Sequence, residues 1–144
     1  MRRAGRASRG PLNADVRRLM KNLLAVTAVI EFGVGLLLVM LPSPAAALLL
    51  GHLLDTAVGV TVTRVAGVAL LALGAACWYA RVDGQTRATR GLVGAMLLYN
   101  AGIIVVFGHA AVVLEVSGIG LWPVLLTHVW MAIWCLKCIL GSRS

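Results

Sequence analysis

Two ionisable side chains stand inside apolar runs long enough to cross a bilayer: Glu31 in the run 22–41 and Arg64 in the run 57–80. A charge at such depth is costly, so it pairs with another charge, faces a cavity or lines a path for an ion. At helical rise, Glu31 lies about 15 Å below the outer end of its run, and Arg64 about 10 Å below the outer end of the next. A long arginine side chain covers that offset. The spacing therefore predicts a buried Glu31–Arg64 contact, bidentate where the guanidinium fork meets the carboxylate squarely. Two chemistries follow. A static ion pair sets helix register, and removing one partner is costly. Alternatively, Glu31 exchanges a proton while Arg64 tunes it or holds an anion.

Asn100 and His128 extend this set, one in each of two later apolar runs. With Glu31 and Arg64 they define a polar core that takes one residue from each helix; the rival reading is four separate helix–helix hydrogen bonds. His109 is nine residues from Asn100, on the opposite helix face. Asn100, nearer the midplane, is expected inward and His109 near the outer boundary. His109 and His128 lie at similar depths, where a pair of histidines is able to ligate haem, but nothing else in the sequence accompanies them and no cofactor is assigned. Cys135 and Cys138 form a CxxC, and Cys77 lies at a similar depth on another run. Such thiols are redox-active or bind soft metal when exposed and ionised. Here none lies in a loop and the expected side is reducing, so they read as small buried residues. No catalytic residue and no metal site is assigned.

The elements that position these groups follow from composition. Of 144 residues, 60% are hydrophobic and 12% charged. The mean hydropathy is +0.94, and a soluble domain carries about twice that charged fraction. Four runs reach bilayer length: 22–41, 57–80, 91–114 and 121–140. Backbone amides in lipid must be satisfied within each segment, so each run is expected to be a helix. Pro42 and Pro44, Asp83-Gly84 and Ser117-Gly118 punctuate them. The expected fold is an all-α membrane protein: an up-down bundle of four transmembrane helices over 22–140, after a basic, disordered stretch at 1–21 and before a short tail at 141–144. Ser43-Pro44 reads as the start of a short interfacial helix between helices 1 and 2, ending near Asp55.

Orientation follows the basic residues, which give the chain a net charge of +8. Seven lie before the first span, three in the loop between spans two and three, and two at the C-terminal end. The connections 42–56 and 115–120 hold none. By the positive-inside rule both termini are cytoplasmic. The expected location is a multi-pass cell (inner) membrane. An Arg-rich start also fits an organelle transit peptide, and Glu31 in the middle of the first run argues against a cleaved signal. The basic segments are matched to anionic lipid headgroups, with no aromatic interleaving to mark nucleic acid.

Small residues mark the helix-packing positions. Thr27, Glu31 and Gly35 recur every fourth residue, Arg64, Gly67, Leu71, Gly74 and Trp78 form a seam, and Gly59, Thr63 and Gly67 form a small-xxx-small ridge. Such ridges also permit self-association with a second copy or a membrane-protein partner.

The stretch Glu31-Phe-Gly-Val-Gly-Leu-Leu-Leu running to Pro42, the Leu-Leu-Leu-Gly at 48–51, the segment from Arg64 to Trp78, and Tyr99-Asn100 resemble small uncharacterised bacterial four-helix membrane proteins, broadly DoxX-like. The resemblance implies architecture and membrane placement, and no activity. The leading expectation is therefore a non-enzymatic accessory, assembly or structural subunit organised round the Glu31–Arg64 pair. The alternative is a small proton-coupled, anion or small-molecule transporter using Glu31, as small multidrug transporters place a Glu in the first of four helices, though many of those lack so strong a charge bias. A membrane thiol or haem redox protein is the third.

Overall fold

The computed structural model describes residues 10–142, with side chains from residue 14. Five helices follow in chain order: α1 Gly10–Met40, α2 Pro42–Leu50, α3 Ala57–Ala80, α4 Arg87–Val113 and α5 Leu121–Gly141. Four of them are long and apolar enough to cross a membrane. At about 1.5 Å per residue even the shortest of these, α5, spans about 30 Å, the thickness of a hydrocarbon core.

The helix ends are set by local chemistry. Thr56 and Thr86 cap α3 and α4, each side chain accepting the amide of the third residue on, Gly59 and Thr89, at 3.1 Å. Leu41 separates α1 from α2, because Pro42 has no amide to continue the α1 ladder. The expected cap at Ser43 is thus shifted: Ser43 lies inside α2, and its hydroxyl donates to the Leu54 carbonyl at 3.3 Å. α2 also ends earlier than expected, at Leu50, capped by Gly51 in a left-handed conformation with φ 79°.

The expected disordered segment 1–21 is corrected over its second half. Helix α1 begins at Gly10, and residues 1–9 lie outside the described residues. The added turns have packing partners: Met20 is buried in the core, Val16 lies against Gly141 at the end of α5, and the Arg17 guanidinium lies against Gly84.

Two helix pairs, α1 with α3 and α4 with α5, meet chiefly along α1 and α5. Their shared core is densest toward the Arg/Lys-rich end, where Leu23, Leu24, Cys77, Val93, Met96, Met131 and Cys135 are buried together. Toward the other end α3 and α4 are largely exposed, and α2 closes over the start of α5. The Gly120 amide donates to the Leu48 carbonyl at 2.8 Å. Gly118 is buried against the backbone of Leu48 and Leu49, an approach that leaves no room for a side chain.

The α1/α3 pair has the closest backbone approach. A Cβ on Gly67 would stand 2.8 Å from the Gly35 carbonyl oxygen, and one on Gly35 would stand 2.8 Å from that of Gly67. A Cβ on Gly74 would stand 3.2 Å from the Ala28 carbonyl. Along this seam, residues later in α1 meet residues earlier in α3. Gly35, Gly67 and Gly74 therefore pack helix on helix. Gly59 does not: its neighbours are Thr56 and Leu54, in its own cap, and Thr63 is only half-buried.

Candidate functional site

Glu31 sits on the buried stripe of α1, 5% exposed, between Thr27 and Gly35. Its stem lies against Gly74, where a Cβ would stand 3.3 Å from the Glu31 Cβ. The missing side chain at position 74 thus lets α3 approach the carboxylate-bearing turn of α1. Glu31 lines a small cavity between α1, α4 and α5, shared with Thr27, Asn100, Thr127 and His128 and with the apolar Ile30, Met96 and Met131. Its volume is about 10 Å³, room for about one water molecule.

Each polar group there is partly committed. Asn100, 3% exposed, donates its Nδ2 to the Met96 carbonyl at 2.7 Å, and its carboxamide oxygen remains as an acceptor. His128 Nδ1 is 2.8 Å from the Val124 carbonyl. A carbonyl accepts only, so Nδ1 carries the hydrogen, and in the neutral ring Nε2 is the acceptor nitrogen. The Tyr99 ring packs at 5.9 Å, tilted, against the imidazole. Thr127 donates back to the Pro123 carbonyl at 2.8 Å. Thr27 Oγ1 is fully buried without a hydrogen-bond partner. Glu31, His128, Asn100 and Thr27 therefore line one water-sized space together with apolar side chains.

Three of the four residues expected to form the polar core are brought together: Glu31, Asn100 and His128. Arg64 is not among them, and the predicted Glu31–Arg64 contact is corrected. Arg64 is exposed, and its Nε donates to the Val39 carbonyl at 3.2 Å, near the end of α1. Val39 is two turns beyond Glu31, about 12 Å along the helix. The prediction placed the outer ends of α1 and α3 at one depth. The glycine contact instead sets a register in which α3 starts about 7.5 Å beyond the end of α1. Arg64 therefore meets the last turn of α1, at the Val39 carbonyl. A cation there also complements the helix dipole.

His109 is exposed on the outer face of α4, away from the cavity. Cys77, Cys135 and Cys138 are free thiols, each 0% exposed and packed in the apolar core. Burial of that kind makes a cysteine a small hydrophobe. Sequence reading placed Thr27 on the polar stripe without assigning it to the site, and it missed Tyr99. The signals were present: Thr27 is one turn from Glu31, and Tyr99 immediately precedes Asn100. In comparison with known proteins, no family model, no curated protein and no solved structure matches the chain.

Proposed function

We propose that the chain is a multi-pass inner-membrane protein, its four spans running up and down with both termini cytoplasmic, built round a proton-exchanging centre at Glu31. In this reading Glu31 takes up and releases the proton, and an enclosed water links it to His128 and Asn100. The supporting observation is the convergence of Thr27, Glu31, Asn100 and His128 from three helices on one water-sized cavity. Arg64, the other charge in mid-span, is engaged at Val39. A carboxyl held in a membrane bundle without a cationic partner favours a functional role over a static ion pair. The size of the cavity favours a proton over a larger solute as the species bound there. The role is non-enzymatic, that of a small proton-coupled transporter.

The test is infrared difference spectroscopy of the protein in lipid, titrated with acid and base. A carboxyl band that appears and disappears with pH, and is missing in Glu31→Gln, supports the reading. A spectrum identical in wild type and Glu31→Gln across the titration overturns it. Proton flux in sealed liposomes, abolished by the same substitution, extends it to transport.

A second reading, an accessory or assembly subunit, is favoured by the unpartnered apolar faces of α3 and α4. Val58, Val62 and Val65 on one, and Leu98, Val105 and Val112 on the other, are more than half exposed. Co-purification of one stoichiometric partner chain would support it; a chain that purifies alone from its own membrane would count against it.

A further inference from the structure

At the Arg/Lys-rich end of the bundle, an open pocket of about 480 Å³ lies between the start of α1 and the turn joining α3 to α4. That volume is within the range of small-ligand sites, about 300–1,000 Å³. Arg17, Lys21 and Arg81 line it, against one acidic residue, Asp83. Among the described residues no ion pair neutralises these cations internally. We propose that this pocket binds the phosphodiester headgroup of an anionic phospholipid.

Three features prepare it for a phosphate. The Arg81 guanidinium stacks over the Trp78 ring, 3.3 Å from its centroid, and donates one Nη1 hydrogen bond to the Trp78 carbonyl. One edge of the fork is thereby held, and the remaining N–H groups are available to a ligand. Arg17 lies along Gly84, whose φ of 70° and missing side chain keep that wall of the pocket low; a Cβ there would stand 3.7 Å from the guanidinium carbon. Thr86, also in the lining, is the N-cap of α4. The positive end of a 27-residue helix thus adjoins the same concavity.

Location selects the lipid over a soluble anion. The pocket lies at the boundary of the apolar spans, where Trp78 and Tyr79 stand exposed as interfacial aromatics do. Val82, in the lining and 69% exposed, offers an apolar surface at its rim for acyl chains to follow. Basic pockets between transmembrane helices are suited to anionic headgroups, which a zwitterionic lipid satisfies less well because its own cation competes.

The test uses the full chain in neutral detergent, with phosphatidylglycerol and phosphatidylcholine as probes, read by native mass spectrometry and thermal unfolding. Wild type should retain phosphatidylglycerol in preference to phosphatidylcholine and unfold at higher temperature with it. Arg17→Gln,Lys21→Gln should bind it about tenfold more weakly, the scale of charge-assisted hydrogen bonds lost. The charge-matched control Arg90→Gln,Lys137→Gln, outside the pocket, should stay near wild type. Equal weakening in the two double variants would reduce the effect to net charge and overturn the site. So would wild type that shows no preference between the two lipids. Displacement by inorganic phosphate as readily as by phosphatidylglycerol would mark a soluble-anion site and overturn the lipid assignment.

Discussion

Arg64 Nε donates to the carbonyl of Val39 at 3.2 Å, tying the first half of α3 to the last turn of α1. The contact places a cation at the C-terminal end of α1, where the helix dipole favours one. It also separates Arg64 from Glu31 by about 12 Å of helix.

Their losses should therefore be independent. Glu31→Gln and Arg64→Met are each expected to lower thermal stability, and the double variant should show the sum within about 0.5 kcal/mol. A double variant clearly more stable than the sum, in a thermal-unfolding cycle, would mean that the two charges interact after all.

The glycines of α1 and α3 should divide by sign. Gly67→Ala places a methyl 2.8 Å from the Gly35 carbonyl and from a Val39 methyl. It should destabilise by about 1–3 kcal/mol, as overpacking does. Gly33 has nothing within 4 Å of its would-be Cβ. Gly33→Ala should be neutral or stabilising by up to about 1 kcal/mol, through helix propensity. Thermal midpoints of the two variants in one detergent decide this.

Docking of α2 depends on Gly118. Gly118→Ala should push Leu48 and Leu49 off the start of α5, breaking the Gly120–Leu48 hydrogen bond. Faster amide hydrogen exchange across α2, with α1 and α3 unchanged, is the expected signature.

The three cysteines should be silent in the folded state. Each is fully buried, so a membrane-permeant maleimide should add nothing by intact mass until the protein is denatured, and then add three labels. Labelling of the native protein would restore the redox reading.

How far the sequence carries depends on what sets each feature. Span α3 matches its predicted limits, 57–80, because apolar length and a threonine cap decide it locally. The inward placement of Asn100 and outward placement of His109 follow from helical phase alone. The early start of α1 was not legible, since residues 10–21 read as polar until Val16 and Arg17 find Gly141 and Gly84 in distant segments. Nor was the position of Arg64. Counting from helix ends assumes that all spans end in one plane, whereas the contact of Gly35 with Gly67 carries the start of α3 past the end of α1. The polar cavity was half legible: residue types picked Glu31, Asn100 and His128, and only the packing excluded the fourth.

The central position of α1 carries a consequence for biosynthesis. Ribosomes deliver the chain from its N-terminus, so Glu31 enters the membrane with the α1/α3 pair, about 70 residues before Asn100 and about 100 before His128. Until α4 and α5 arrive, its carboxyl is open to lipid or to the insertion machinery. A nascent chain stalled after α3 thus displays an uncovered acidic group in the middle of an apolar span, a costly exposure. Completion of the last helix, and not pairing of the first two, hides it.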